Sequence, residues 1–249
     1  MDKLVYTAAT ALRAHMSSQA AIANNMANVS TTGFRADRVV FDRIELKGGG
    51  TQIEARAPTS EEVTDADRSP GVISRTGRAL DVAMAGDAWM AVQASDGSEA
   101  YTRRGDLTIA PSGVLQTGDG FLVMGQSGPI TLPPANSVTI GGDGTISIVA
   151  QGDATGTPQI VDRLKLASTK GTDTVKGLDN LLRVRGGGTL PADLDAKVEG
   201  GALEGSNVNM TQALIDMIEN QRAYEVSANM MKSAKDMDES GASLMRLPS

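Results

Sequence analysis

The chain has no cysteine among its 249 residues. This excludes disulfide bonds, zinc–thiolate sites and thiol nucleophiles. Aromatic residues make up only 3% of the chain, with a single Trp and a single His. The core must therefore be built from Val, Ile, Leu, Met and Ala. No second histidine is present to complete a metal-binding pair, and His15 is the sole imidazole base for a triad.

Excess positive charge and long apolar runs are also missing. The net charge of −7 and the lack of a Lys/Arg cluster argue against nucleic-acid binding. No apolar run approaches the roughly 18 residues of a membrane span. Arg13 and His15 interrupt the N-terminal segment, which is unlike a secretory signal. We therefore expect a soluble chain without a cleavable export signal.

Two long helices are predicted at the ends of the chain, over residues 4–29 and 208–245. Each carries apolar or small residues at spacings of three and four, which is typical of a narrow apolar seam. At the first helix, Gly33 and Phe34 fit a Schellman ending in which Phe34 folds back on Val29, so the helix should end near Thr32. At the second, Asn209 and Gln212 resemble a capping box.

The residues between these helices predict strands and glycine turns. Residues 36–79 predict an extended connector with a strand or two and few buried contacts. Residues 80–185 predict antiparallel hairpins, with one buried face marked by Leu107/Ile109, Ile146/Ile148 and Leu164/Leu166. A sandwich and a distorted barrel both fit this pattern. Residues 186–206 predict a return linker to the last helix. The fold class is α+β, divided at residues 1–35, 36–79, 80–185, 186–206 and 207–249.

Candidate catalytic and ligand sites are weak. His15 lies on or beside the first seam, where a helix-surface or interface histidine is the favoured interpretation. Gly118-Asp119-Gly120 and Gly141-Gly142-Asp143-Gly144 lack the ligand spacing of known calcium loops and predict hairpin turns. The sequence has no phosphate-binding loop or dinucleotide motif. We therefore predict no catalytic, cofactor-binding or metal-binding residue, and no enzyme.

Asparagines near the end of the first helix are unusual, because Asn is a mediocre helix former. Asn24, Asn25 and Asn28 could face solvent, or their amides could bond to neighbouring helices or to backbone. Tyr224 could fill a core or contact another subunit through its hydroxyl. The predicted assembly interface consists of Leu4, Ala8, Ala11, Leu12, Met16, Ile22, Asn24, Asn25, Met26, Asn28, Gly33, Phe34, Asn207, Asn209, Leu214, Met217, Ile218, Gln221, Tyr224, Ala228 and Met231.

Four segments resemble a known family. The run Ala23-Asn24-Asn25-Met26-Ala27-Asn28-Val29-Ser30-Thr31-Thr32-Gly33-Phe34-Arg35 is similar to the signature of bacterial flagellar axial proteins, the rod and hook family. Residues 204–225, 80–83 and 100–106 also resemble this family, although Arg104 stands where small residues are common. The first eight residues and the length resemble the proximal rod proteins, with the distal rod proteins as the close alternative.

The resemblance implies a basal-body rod subunit whose terminal helices pair as an antiparallel coiled coil lining an inner tube, with the β domain outside. It also implies partners: copies of itself, other rod proteins and the flagellar type III export apparatus. From the residues we expect the terminal helices to become ordered only beside neighbouring subunits. Two competing hypotheses are a secreted β-domain enzyme with helical oligomerisation arms, and a binding module that grips a partner helix.

Overall fold

The structure is a computed structural model that describes residues 2–43, 59–152 and 156–245. Two long helices flank the strands: α1 (Asp2–Ala27) and α2 (Met210–Met245). The first strands are β1 (Asp37–Arg43), β2 (Thr59–Ala66), β3 (Ile73–Arg75), β4 (Val82–Met84), β5 (Ala88–Gln93), β6 (Glu99–Thr102), β7 (Leu107–Ile109), β8 (Leu115–Thr117) and β9 (Leu122–Val123). They are followed by β10 (Ala135–Ile140), β11 (Thr145–Ala150), β12 (Gln159–Arg163), β13 (Leu166–Ser168), β14 (Thr174–Lys176), β15 (Leu182–Val184), β16 (Val198–Gly200) and β17 (Ala202–Glu204).

The chain divides into two compact units. The first, called the helical unit here, combines Met1–Ala27, Asp37–Thr64 and Asn209–Ser249. In its described part, α1 packs against α2 and against β1, and β1 pairs with β2. The second, called the β unit, combines Asn28–Ala36 and Asp65–Val208. The α+β prediction, with a helix at each end and a central antiparallel β region, is confirmed.

The end of α1 differs from the prediction. The helix ends at Ala27 rather than near Thr32, and residues 28–30 form a turn in which the Thr31 N–H donates to the Asn28 oxygen. Gly33 does adopt the left-handed conformation, with φ of 67°. However, its N–H donates to the Glu204 oxygen at 2.7 Å instead of closing the helix. The Schellman prediction was wrong because a non-local strand supplies the acceptor.

The β unit is organised around an eight-stranded antiparallel sheet. Its order is β14-β15-β6-β5-β9-β8-β7, and β13 pairs with β5. A second sheet has the order β10-β11-β12. The antiparallel hairpins predicted over residues 80–185 are confirmed, with β5–β6, β7–β8, β8–β9 and β10–β11 joined by glycine-containing turns at residues 95–98, 111–113, 118–120 and 143–144. Glycine-rich turns were therefore a reliable guide to this region.

Strand β5 is the centre of the unit and is buried on both faces. Met90 and Val92 pack in a core shared with Ile146 and Ile148 of the three-stranded sheet. Trp89 and Ala91 point into a second cluster on the other face, as the two-residue period of a strand requires. The predicted alternation holds for Ile146/Ile148 and Leu164/Leu166. It was wrong for Ile109, which is 41% exposed at the end of a short strand.

Two short strands that the sequence did not reveal close the β unit. β16 pairs with β4 and β17 pairs with β3, so part of the predicted return linker is sheet. The unusual Arg104 also has a structural role, because it forms ion pairs with Asp106 and Asp119 at 2.7 Å each. The prediction of a connector at glycines 48–50 and Pro58 lies outside the described residues.

Candidate assembly surface

Among the half-buried and buried residues of α1, six form a heptad-like face. They recur at alternating spacings of four and three, which places them on one side of the helix. This face consists of Ala8, Leu12, His15, Gln19, Ile22 and Met26. Two of its members are polar and bond directly to α2. The sequence prediction named Ala8, Leu12, Ile22 and Met26 and placed His15 on or beside the seam; Met16, which it also named, is 62% exposed.

A polar contact joins α1 to α2. The Asn220 Nδ2 donates to the His15 backbone oxygen at 2.9 Å and to Gln19 Oε1 at 2.8 Å. The His15 Nδ1 lies 3.0 Å from Asn220 Oδ1, so a protonated Nδ1 can donate there. Polar pairs at the contact between two helices fix the register of their packing. Sequence reasoning missed Gln19 and Asn220, since a single polar residue on a helix carries no signal of its partner.

The asparagines at the end of α1 bind the start of β1. Asn25 pairs with the Asp37 backbone through both ends of its amide, accepting from the N–H at 2.7 Å and donating to the carbonyl at 3.0 Å. Asn24 donates to the Asp37 side chain at 2.5 Å. Asn28 accepts from the Thr31 hydroxyl at 3.1 Å in the turn that follows. These amides therefore secure the path of the chain after the helix.

The cap of α2 is partly as predicted. Asn209 Oδ1 accepts from the backbone N–H groups of Thr211 and Gln212 at 3.0 and 3.2 Å. The reciprocal half of the capping box is wrong: the Gln212 amide donates to Asp216 at 2.7 Å instead of reaching back to Asn209. The first turn of α2 is thus capped from one side only.

The predicted interface residues divide by exposure. Ala8, Gly33 and Phe34 are buried; Ala11, Leu12, Ile22, Asn24, Asn25, Met26, Asn28, Asn207, Met217, Ala228 and Met231 are half-buried; and Met16, Asn209, Leu214, Ile218, Gln221 and Tyr224 are exposed. The Leu4 side chain lies outside the described residues. Within the helical unit, the exposed set includes large apolar side chains: Met16 is 62% exposed and Ile218 is 53% exposed.

More apolar residues of α2 are exposed than the prediction named. The prediction named Leu214, Ile218 and Tyr224. The structure adds Met210, Ile215, Val226, Met230 and Met237. Met210, Leu214 and Ile218 follow one another at intervals of four, and so do Val226 and Met230, so the exposed residues form stripes. The alanines at positions 213 and 234 are buried instead. An exposed apolar stripe on a helix is typical of a surface that meets another protein.

Within the β unit, a buried carboxylate holds two arginines. Glu204 Oε1 accepts from Arg35 Nη2 and Glu204 Oε2 accepts from Arg103 Nε, both at 2.7 Å. The Gly71 N–H also donates to Oε1, at 2.8 Å. All three charged side chains are at most 3% exposed. Burial lowers the pKa of Arg35; Glu204 opposes this change and Arg103 reinforces it.

Gly33, Phe34 and Asn207 bind the same part of the β unit. A Cβ on Gly33 would collide with the backbone of Arg103, so only glycine fits. Phe34 is buried, with the Lys176 Nζ 3.7 Å from its ring centroid. Asn207 donates to the Ser69 oxygen at 2.9 Å and accepts from the Ala36 N–H at 2.7 Å. Three residues predicted for an assembly interface therefore have partners within their own chain.

The described residues form neither a membrane-spanning helix nor a metal-binding cluster. No described helix is long and apolar enough to cross a membrane. No group of three or more His, Asp or Glu side chains in the described ranges is arranged to hold a metal ion.

Two long terminal helices with exposed apolar stripes, in a chain that also folds a β unit, are the features of a protein that assembles with others. Family models match three parts of the chain: a flagella basal body rod protein model at residues 5–35, a flagellar hook protein FlgE/F/G D1 domain model at 83–148, and a flagellar basal body rod FlgEFG C-terminal model at 199–244. The matches cover both terminal helices and much of the β unit.

Relatives align along nearly the whole chain. The flagellar basal-body rod protein FlgF of Salmonella typhimurium is 38% identical over 95% of both chains, and FlgF of Escherichia coli is 39% identical over the same share. FlgG of Bacillus subtilis is 29% identical over 95% of this chain and 97% of its own. The chain belongs to the flagellar basal-body rod protein family. It is therefore a structural subunit of the rod, and the prediction that it is not an enzyme is confirmed by its relatives.

Proposed function

We propose that this chain is a proximal-rod subunit whose helical unit assembles with copies of itself and with other rod proteins. The carrying observation is the set of large apolar side chains left exposed on α1 and α2. The FlgF proteins of Salmonella typhimurium and Escherichia coli, at 38–39% identity, favour the proximal position over the distal one, since the FlgG proteins of Buchnera aphidicola and Bacillus subtilis are 29–30% identical to this chain. In this proposal the helical unit supplies the inner contacts of the tube.

An antiparallel coiled coil between α1 and α2 is part of the proposal. His15 and Gln19 meet Asn220, whereas Val5 and Ala9, nearer the start of α1, line one groove together with Met231, farther along α2. Moving forward along α1 therefore corresponds to moving backward along α2. The alternating spacings of four and three on α1 fit the seam of such a pair.

The stripes outside this seam require neighbours. Contacts between unlike surfaces of identical subunits repeat along a helix instead of closing on themselves. Met16 on α1 and Ile218 on α2 lie on exposed faces that could form such a contact. A tube built this way transmits torque, because many contacts act in parallel. Delivery of the subunit by the flagellar type III export apparatus is supported by the family resemblance alone.

Cross-linking of assembled particles tests the proposal. Because the chain has no native cysteine, Met16→Cys combined with Ile218→Cys introduces the sole two thiols. Oxidation of assembled rods should give ladders of linked subunits, whereas dilute chain should stay monomeric. The matched control is Leu178→Cys combined with Ile160→Cys, two exposed residues of the β unit that also introduce two thiols per chain. Ladders from the control alone, with none from the helix pair, would contradict the proposed contact.

Hydrogen exchange tests the coupling between ordering and assembly. An isolated pair of helices buries little apolar area, so its amides should exchange rapidly in the dilute chain and slowly in particles. The amides of β5 and β6 provide the internal reference and should be protected in both states. Fully protected helices in the dilute monomer would overturn this part of the proposal.

A further inference from the structure

A small charged cavity lies in the β unit. Its volume is about 220 Å³, and its lining residues are Arg68, Asp87, Trp89, Arg103, Thr169 and Lys170. Three of these side chains are cationic and one is a carboxylate. The net charge of the lining is therefore positive, on a chain whose overall charge is −7.

The cationic side chains of this cavity differ in how many of their donors already have partners within the chain. Arg103 is buried and donates to the backbone oxygens of Gly86, Ala88 and Met84 as well as to Glu204. Arg68 is exposed and is held by the Thr174 hydroxyl at 3.1 Å. The ammonium of Lys170 is exposed and forms no ion pair with the described residues. Arg68 and Lys170 thus have donors available to an incoming anion.

Unbalanced positive charge also surrounds Trp89. The guanidinium carbons of Arg35 and Arg103 each lie 5.9 Å from the centroid of its ring. The two arginines share a single carboxylate, that of Glu204. Among the described residues, the buried Nε and Nη1 of Arg35 have no hydrogen-bond partner. Arg35 does not line the cavity, so it contributes to the site through the positive charge that it places near Trp89.

We propose that this cavity receives one carboxylate side chain from an adjacent copy of this chain in the rod. The inference rests on the proposed function, because it needs neighbouring subunits. Arginine and lysine together favour a carboxylate, and a planar guanidinium can bind it through two parallel hydrogen bonds. A copy of the chain is the source, since its 30 acidic residues outnumber its 23 basic ones. The volume holds a side-chain carboxylate and a few waters of about 30 Å³ each.

A titration of the full-length monomer tests the cavity without assembly. Trp89 is the single Trp of the chain, so its fluorescence reports on this site alone. Sodium glutarate should change the fluorescence saturably, and sodium chloride at the same ionic strength should not. Calorimetry provides the second readout, in case a bound anion leaves the indole unchanged. If neither method detects saturable glutarate binding, the proposal is overturned.

Charge variants sharpen this titration. Arg68→Gln and Lys170→Gln should each weaken glutarate binding about two- to fivefold, as expected for exposed charge pairs. Asp87→Asn removes the sole carboxylate of the lining and should strengthen binding by a similar factor. The matched control is Arg75→Gln, which removes an exposed cation outside the lining and should leave the affinity unchanged. Equal effects from all four variants would indicate general screening and overturn the proposal.

The source of the carboxylate is tested in assembled particles. A carbodiimide joins an ammonium to a carboxylate in direct contact, so it should link Lys170 to an acidic residue of a neighbouring copy. Mixing isotopically labelled and unlabelled chains distinguishes links between copies from links within one. Lys170→Arg keeps the charge but should abolish the link. Links confined to one chain would overturn a neighbour as the source, while a failure to assemble would contradict the proposed function and leave the monomer titration to decide the cavity.

Discussion

The helical unit and the β unit differ in the size of the apolar side chains that they bury. In the β unit, Met90, Leu107 and Ile146 are fully buried. Among the described side chains of the helical unit, the buried apolar residues are alanines, at positions 8, 213 and 234, while Met16 is 62% exposed and Met237 is 54% exposed. Stabilisation by burial scales with apolar area, and an alanine contributes little. The β unit therefore has a core of large apolar side chains, whereas the described part of the helical unit leaves several of its large apolar side chains exposed.

Exposed apolar residues also occur in the β unit, but they are arranged differently. Val72, Ile160, Leu178 and Leu194 belong to separate loops and strands. Singly exposed apolar residues are normal on protein surfaces. The exposed residues of α2 recur along one helix and combine into stripes. The comparison shows that the spacing of exposed apolar residues carries more information than their number.

The largest loss of stability should follow from disrupting the buried charge cluster of the β unit, which consists of Arg35, Arg103 and Glu204. Glu204→Ala leaves Arg35 and Arg103 without their shared carboxylate, so the free energy of unfolding should fall by about 3–5 kcal/mol. Urea denaturation followed by Trp89 fluorescence measures this change. Glu199→Ala is the matched control, because its ion pair with Arg75 is exposed and should contribute less than about 1 kcal/mol. Similar losses for both variants would contradict the special role of Glu204.

Gly33 should give the next largest effect. Gly33→Ala places a Cβ in the left-handed conformation and against the Arg103 backbone, so we expect a loss of about 2–3 kcal/mol in unfolding free energy. Gly97→Ala separates the cost of the left-handed conformation from the cost of the contact with the Arg103 backbone. Gly97 has φ of 82° and no heavy atom within 4 Å of an added Cβ. It should therefore cost only about 1–2 kcal/mol, the strain of the backbone alone. Equal losses in urea denaturation would show that the Arg103 contact has no cost.

Local patterns predicted much of this fold. Glycine-rich turns such as Gly118-Asp119-Gly120 located the hairpins, since both partner strands lie next to the turn. The spacing of apolar residues located both helices. The end of α1 was misplaced because the Gly33 N–H bonds to Glu204, which is 171 residues away in the sequence. A helix stop determined by such a distant acceptor leaves no local pattern.

The candidate assembly surface was predictable in kind but less so in detail. A helix of mixed small and apolar residues can present several faces as its seam. The sequence alone named Met16 as a seam residue and left His15 on or beside the seam, whereas in the structure Met16 is exposed and His15 contacts Asn220. The choice depends on Asn220, which bonds to His15 and Gln19 across the pair. The same limit applies to Arg35, Arg103 and Glu204. No spacing rule connects three charged residues in three separate segments.

The polar contact between the helices offers a smaller test within the helical unit. Asn220→Ala removes hydrogen bonds to His15 and Gln19, and should lower the stability of the helix pair by about 1 kcal/mol. Hydrogen exchange of α1 amides in assembled particles, where these amides should be protected, measures this locally, because the β unit should be unaffected. Gln221→Ala is the neighbouring control, since Gln221 is exposed and its one described bond, to Glu225, is 3.5 Å long. Faster exchange in both variants would argue against a specific role for Asn220.

A substitution in the exposed stripe of α2 should have the smallest effect on the stability of the isolated chain. Its effect on assembly should distinguish the helical unit from the β unit most clearly. Ile218→Ser changes a side chain that is 53% exposed, so the unfolding free energy of the monomer should change by less than about 0.5 kcal/mol. Assembly should nevertheless be weakened, because the apolar area offered to a neighbour is reduced. Sedimentation of the purified chain at increasing concentration measures the loss. Ile160→Ser, an exposed isoleucine of the β unit that is 74% exposed, should leave both stability and assembly unchanged. If Ile218→Ser destabilised the monomer and spared assembly, the stripe would be part of the chain's own fold, and the contrast between the two units would disappear.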